Sequence, residues 1–193
     1  KGRLLQELME EAGLTSTGIL PLENRPTTTK TRIISQQQHL LRVDEEITAL
    51  LDEPETDELF GLIEQIINEE KIKVIIFEDY DKGAITPALI QRVVELAKEK
   101  NIPTTVDPKK RQFLDYNGVT LFKPNLKELK EGLKIDLPKV SAHELDNACA
   151  ALEKKMPLEM ALITLSQHGV YIHDGDKGEI IPAHIRNISD VSG

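Results

Sequence analysis

The stretch VTLFKPNLKELKE, residues 119–131, decides the fold. Val119, Thr120, Leu121 and Phe122 form a short apolar, β-branched run of the kind that makes a buried strand. Pro124 stops it. Asn125 is a good helix cap, and Leu126, Leu129 and Leu133 recur behind it at helical spacing. Asn125 and Glu128 stand three residues apart and so share one face of that helix. An amide and a carboxylate at the carboxyl end of a strand, beside a helix N-terminus, suit phosphate oxygens and a hydrated divalent cation. The same pair also suits a plain helix cap with a first-turn glutamate favoured by the helix dipole. On this stretch alone both readings stand.

Working outward, the strand-then-helix rhythm recurs. Residues 73–77, KVIIF, are a continuous apolar run, as expected for a strand buried on both faces. Thr86 caps and Pro87 begins a helix running to about Lys100. Residues 104–106 form a short strand ending in Asp107-Pro108. Ser141 to Glu144 reads as a capping box opening another helix. Residues 160–165 read as a strand, and 170–173 with 179–183 as a hairpin around 174–178. This alternation predicts an α/β fold built from parallel βαβ units. The first seventy residues differ. Leu4, Leu5, Leu8, Met9 and Ala12 make an apolar helical stripe closed by Gly13, and residues 14–26 read as a loop. Residues 27–34 and 39–43 read as two strands that could pair as a hairpin. Residues 52–57, acidic and holding Pro54, read as a surface connection before a helix marked by Leu59, Leu62, Ile63, Ile66 and Ile67.

Composition narrows the function. The 193 residues carry 24 Lys and Arg against 33 Asp and Glu, a net charge of −9. That argues against nucleic acid as a partner while leaving room for a local basic pocket. Cys149, the one cysteine, cannot form an intrachain disulfide, reads as part of a buried helix face, and fits a reducing compartment. No apolar run reaches membrane-spanning length and no signal-peptide pattern is visible, so a cytoplasmic protein without a membrane partner is expected. Lys1-Gly2-Arg3 enters a helix without an initiator Met, and the chain stops at the turn-like Asp190-Val191-Ser192-Gly193, so both ends read as cut.

In open α/β sheets, ligands collect outside the carboxyl ends of the strands. Four such ends carry polar clusters. They are residues 78–83 (EDYDKG), 107–111 (DPKKR), 123–125 (KPN) with Glu128, and 164–169 (TLSQHG). Each alone is an ordinary solvated loop, and Lys109-Lys110-Arg111 alone is an ordinary surface patch; four on one rim make a candidate site. The sequence holds no G-x-x-x-x-G-K-[ST] loop, no G-x-G-x-x-G fingerprint and no nucleophile elbow. Its five histidines lack metal-ligand spacing.

Several motifs together resemble a known family. RPTTTKTR at 25–32 followed by LRVD at 41–44 is similar to the bacterial heptose 7-phosphate kinases, which belong to the ribokinase-like (PfkB) sugar kinases. Asp79-Tyr80-x-Lys82-Gly83, Val106-Asp107-Pro108-Lys109 and Pro124-Asn125-Leu126-Lys127-Glu128 match in the same order, and the similarity covers essentially the whole chain. The resemblance implies a three-layer α/β/α sandwich with a small β lid, here truncated at both ends. Residues 1–193 would be a partial sugar kinase domain, with lid strands within 27–43 and a nucleotide-binding core over 71–193. It implies ATP and Mg²⁺ as cofactors, K⁺ as a further ion, a sugar phosphate as substrate, and a homodimer joined through the lids. Asn125, Leu126, Lys127 and Glu128 would line the ATP phosphates, with Asn125 and Glu128 meeting Mg²⁺ through water. Thr164, Ser166 and Gly169 would lie on the adenosine side. Ser166 departs from the family's Gly there, as Asp81 departs from the Gly of Asp-Tyr-Gly-Lys-Gly. Lys30, Asp79, Lys82, Asp107, Lys109 and Arg111 are the candidates for the sugar phosphate. Asp190 and Ser192 match the approach to the anion-hole loop and a monovalent cation site.

The family's catalytic base is an Asp that would fall just past Gly193, so no residue of this chain is assigned that role. The expected activity is phosphorylation of heptose 7-phosphate at the anomeric hydroxyl, toward ADP-heptose and the lipopolysaccharide core, with the 193-residue chain itself inactive. The alternatives are a ribokinase-like kinase of another sugar, such as fructose 1-phosphate or ribose, and a nucleotide-binding module without turnover.

Overall fold

The computed structural model describes residues 1–36 and 38–183. In chain order its elements are α1 (Gly2–Glu11), β1 (Thr29–Ser35), β2 (Gln38–Glu45), α2 (Glu53–Glu69), β3 (Ile75–Glu78), α3 (Pro87–Glu99), β4 (Thr104–Asp107), β5 (Leu121–Phe122), α4 (Leu126–Leu133), α5 (Ala142–Glu153), β6 (Met160–Thr164), β7 (Val170–His173) and β8 (Gly178–Ile181). They fall into two units, Lys1–Lys71 with Asp81–Leu89, and Ile72–Tyr80 with Ile90–Gly193.

The second unit is built on a six-stranded sheet in the order β3-β4-β5-β6-β7-β8. β3 to β6 are parallel, as the alternation of strands and helices predicts, and β7 and β8 turn back antiparallel as a hairpin. Phe122, Val106, Ile163 and Tyr171 on the strands and Leu129, Leu145 and Leu152 on α4 and α5 are fully buried. Each such side chain contributes about 1.5–3 kcal/mol by leaving water. Phe113 and Phe122 meet edge to face at 5.0 Å, and Phe77 and Tyr116 at 5.6 Å. Gly132, inside α4, is what lets Phe113 lie there: a Cβ at that position would stand 2.2 Å from the ring. Cys149 is buried on α5, and burial, with Glu153 and Asp146 nearby, pushes its thiol up to about 12, so it is a packing residue.

The first unit is different in kind. β1 and β2 form their own two-stranded antiparallel sheet, separate from the six-stranded one, with an irregularity between Ile33 and Ile34. Neither strand has a buried residue, and α1 has none either. The buried apolar side chains of this unit, among the described residues, are Leu51, Ile67 and Leu89.

Several expectations need correction. Residues 52–57 are not a surface connection but the start of α2. Asp52 accepts the Glu55 N–H at 2.9 Å, Glu55 returns the bond to the Asp52 N–H at 3.0 Å, and Pro54 fits the first turn, where its missing N–H costs nothing. The strand at 73–77 is not covered on both faces. β3 begins at Ile75 and stands at the edge of the described sheet, with Phe77 buried but Ile76 58% exposed. β5 keeps only Leu121 and Phe122 of the run 119–122, because Thr120 turns its hydroxyl to the Thr104 N–H instead of extending the ladder. The hairpin strands run Thr29–Ser35 and Gln38–Glu45, and β8 stops at Ile181. At α5, Ser141 supplies the cap, accepting the Glu144 N–H at 3.4 Å. Among the described residues no helix is long and apolar enough to cross a membrane.

Candidate active site

Strand direction brings the predicted rim residues of the second unit together. The Asp79 N–H donates to the Asp107 carbonyl, the Lys123 N–H to the Val106 carbonyl, and the Thr164 N–H to the Pro124 carbonyl, so the ends of β3, β4, β5 and β6 lie side by side. Asn125 and Thr164 form a further parallel bridge.

At the centre of this rim Asn125 caps α4. Its Oδ1 accepts the Glu128 N–H at 2.8 Å, and Glu128 Oε2 accepts the Asn125 N–H at 2.9 Å. The plain capping reading of these two residues therefore holds in full, yet it uses only half of Glu128. The other oxygen, Oε1, accepts Lys109 Nζ at 2.8 Å. Lys109 also donates to Asp107 Oδ1 and to the Pro108 carbonyl, each at 3.3 Å, while Asp107 Oδ2 accepts Lys123 at 2.9 Å. Burial raises the Asp107 carboxyl, but the bond from Lys123 and the charges of both lysines outweigh it and leave it below the usual range. Burial likewise opposes the Lys109 charge, and Glu128 and Asp107 outweigh it, leaving the ammonium raised.

Beside this chain of charges lies a groove of about 1190 Å³. Asn125, Leu126, Lys127, Thr164, Ser166 and Gly169, all predicted nucleotide residues, line it, together with apolar side chains such as Val140, Val170 and Ile181. The volume and the mixed lining suit a small organic ligand with an apolar and a polar end. Lys127 is exposed and pairs loosely with Glu131 at 3.9 Å. Ser166 holds φ at +56° and Asp81 at +54°, so both residues that depart from family glycines keep the left-handed backbone a glycine adopts freely. Gly169, at φ +95°, has no such latitude: a Cβ there would stand 2.0 Å from the Ile181 carbonyl oxygen.

The remaining candidates separate. Lys30 and Lys82 belong to the first unit. Lys30 pairs with Asp44 at 3.3 Å and Glu46 at 3.6 Å, and Lys82 with Glu46 at 2.6 Å. Asp79 is buried and accepts the Tyr116 hydroxyl at 2.9 Å, which fixes the end of β3. Arg111 is exposed in the turn after β4. Asp190 and Ser192 lie outside the described residues. Two residues escaped sequence reasoning. Glu46 joins Lys30 to Lys82, and its only signal was its place in the charged run after β2. Lys123 was on the rim but had no role, and it proves to be the second cation on Asp107.

The pfkB family carbohydrate kinase profile matches residues 1–193. The chain belongs to this family of carbohydrate kinases. It is 35% identical over 192 residues to the bifunctional protein HldE of Wolinella succinogenes, covering 100% of this chain and 40% of that protein. It is 36% identical over 193 residues to HldE of Campylobacter jejuni, covering 100% of this chain and 39% of that protein. The chain thus spans about 40% of the length of these curated relatives. Among solved structures, phosphofructokinase-2 from Escherichia coli in complex with potassium aligns with a TM-score of 0.70 and 15% identity, over 94% of this chain and 57% of that one. Ribokinase from Giardia lamblia aligns with a TM-score of 0.67 and 16% identity, over 97% of this chain and 57% of that one. These distant structures establish the ribokinase-like α/β fold.

The family implies ATP and Mg²⁺. The groove, the Asn125 amide, Thr164 and the α4 N-terminus fit a nucleotide. Among the described residues no cluster of three or more His, Cys, Asp or Glu could grip a bare metal ion. Glu128, with one oxygen on a lysine and one on a helix cap, fits a cation held through water and carried in by phosphates.

Proposed function

We propose that the protein is an ATP-dependent sugar-phosphate kinase whose acceptor is a heptose 7-phosphate, phosphorylated at the anomeric hydroxyl toward ADP-heptose and the lipopolysaccharide core, in the cytoplasm. The observation that carries this reading is the meeting of Asn125 and Thr164 on one groove, with Glu128, Lys109, Asp107 and Lys123 in a single hydrogen-bonded chain next to Asn125. The heptose assignment rests on the motifs at 25–32 and 41–44.

In this reading the groove takes the adenosine, and Asn125 with the first turn of α4 directs N–H groups at the phosphates. Lys109 and Lys123 supply positive charge where phosphate charge develops. Glu128 and Asn125 are the residues that would meet Mg²⁺ through water, and the ion's chemistry is neutralisation of phosphate charge during transfer. Lys30, Lys82 or Arg111 would take the sugar's phosphate. The exposed Ile33, Ile34, Leu40 and Leu41 on β1 and β2 favour a homodimer through this hairpin, since a two-stranded ribbon is marginal in water without a partner.

The test measures ADP release by the full-length protein with heptose 7-phosphate, fructose 1-phosphate and ribose in parallel. Turnover confined to the heptose supports the proposal. Preference for another sugar replaces the substrate, and nucleotide binding without turnover on any sugar replaces the activity with a binding module.

A further inference from the structure

The Lys109 ammonium has three N–H donors and three acceptors, Glu128 Oε1, Asp107 Oδ1 and the Pro108 carbonyl. It has no donor left for an incoming anion. Both carboxylates on it are also divided: Asp107 gives its second oxygen to Lys123, and Glu128 gives its second to the Asn125 N–H. Lys109, Lys123, Asp107 and Glu128 together sum to zero charge. A polyphosphate approaching this rim therefore gains little until a lysine changes partner.

Of the two bonds to carboxylates, the one to Glu128, at 2.8 Å, is shorter than the one to Asp107, at 3.3 Å, and so is the stronger competitor of an incoming anion. Each carboxylate keeps a second partner when Lys109 turns to a ligand, Glu128 the helix cap and Asp107 the Lys123 ammonium. The Lys109 side chain is 34% exposed, so its head is within reach of a ligand at the rim. A lysine ammonium is charged at neutral pH whichever anion it holds, so the change is one anion for another.

We infer that Lys109 is a shared cation for which the Glu128 carboxylate and the polyphosphate of a bound nucleotide compete, so that Glu128 weakens the binding of metal-free nucleotide. This rests on the nucleotide reading of the groove. Lys109 is then the residue that reads phosphate number. It passes from Glu128 to the ligand, and the released carboxylate is left facing phosphate oxygens of like charge.

The experiment is calorimetric titration of the full-length protein with AMP, ADP and ATP in EDTA. The variants are Glu128→Gln, Lys109→Met and the double variant. Gln at this position still serves a capping box, so Glu128→Gln keeps α4 intact, and thermal melts check that each protein is folded. Glu128→Gln is expected to bind metal-free ATP about tenfold more tightly than wild type, with a smaller gain for AMP; Lys109→Met is expected to bind ATP about tenfold more weakly. In the Lys109→Met background the gain from Glu128→Gln shrinks to what like-charge repulsion alone supplies, because the competition acts through one bond. A gain undiminished without Lys109, or unchanged or weaker ATP binding by Glu128→Gln, overturns the competition while leaving the groove a nucleotide site. Wild-type protein with no affinity for any of the three nucleotides overturns the nucleotide reading, and the competition with it. Should Lys109→Met fail to fold, Lys109→Gln replaces it, and a fall in the ATP-to-AMP affinity ratio is the supporting result, an unchanged ratio the opposing one.

Discussion

Each unit carries a chain of alternating charge, and the two chains rest on different foundations. In the first unit, Arg42 and Lys30 hold Asp44, Lys30 reaches on to Glu46, and Glu46 holds Lys82. In the second, Lys123 holds Asp107, Asp107 shares Lys109, and Lys109 holds Glu128. The chemistry is the same. The first chain stands on two strands with no buried side chain, at Lys30, Arg42 and Asp44, and on residues outside any element, Glu46 and Lys82. The second stands on the ends of strands whose neighbours Val106 and Phe122 are fully buried, and on a helix anchored by Leu129. Burial fixes backbone positions that surface ion pairs, each worth up to about 1 kcal/mol, cannot fix. The second chain is thus preorganised, and the first is held by its own ladder and pairs. In the proposed reading, that difference suits the second to positioning phosphates.

The largest test of this contrast removes apolar bulk from each unit. Phe122→Ala should cost about 3–5 kcal/mol by urea unfolding, because the ring is fully buried and meets Phe113. At dilutions where the hairpin has no partner, Leu40→Ala should change stability by no more than about 0.5 kcal/mol, because Leu40 is 61% exposed in the single chain. A loss at Leu40 approaching that at Phe122 under that dilution would break the contrast, whereas a loss that appears only as concentration rises is the mark of the proposed homodimer.

The sequence made the second unit legible and the first only in outline, for a physical reason. Asn125 and Glu128 are read from three-residue spacing, and strand-helix alternation from local periodicity. The ion pairs are not local: Lys109 reaches 19 residues to Glu128, Lys123 reaches 16 to Asp107, and Lys82 reaches 36 to Glu46. No pattern in the chain announces such partners, so lysines that looked available for a substrate phosphate turn out to be engaged with carboxylates. The start of α2 was missed because acids around a proline resemble a loop, although Asp52 and Glu55 have the same reciprocal spacing that revealed α4.

The next test is pH. The Asp107 carboxyl is lowered, so its contribution to stability is fully present above its unfolded value of about 3.9 and is lost as pH falls through the lower folded value. Asp107→Asn should lower stability at pH 7 by up to about 1 kcal/mol, and the gap to wild type should close as the pH drops below about 4. Glu46 is also lowered, first by the bond from Lys82, and Glu46→Gln should show the same sign with a smaller gap on its less anchored frame. Urea unfolding at several pH values reads both. A gap for Asp107→Asn that is constant down to pH 2 would remove the charge from the explanation and leave only its shape.

The smallest effect offers one left-handed residue in each unit. Ser166 and Asp81 hold nearly the same φ, +56° and +54°, where a side chain costs about 1–2 kcal/mol. Replacing either by glycine removes that strain but adds freedom to the unfolded chain, which returns about 0.4–1 kcal/mol. Aspartate tolerates the left-handed region better than serine, because its carboxylate bonds its own nearby backbone. Ser166→Gly should therefore stabilise by about 0.5–1 kcal/mol and Asp81→Gly by less, measured as shifts in Tm. Ser166 also lines the groove, so its glycine variant should bind ADP as the wild type does if only the backbone matters there. A variant that is more stable yet binds ADP severalfold more weakly would show that the serine hydroxyl, absent from the family glycine, has become a contact of its own.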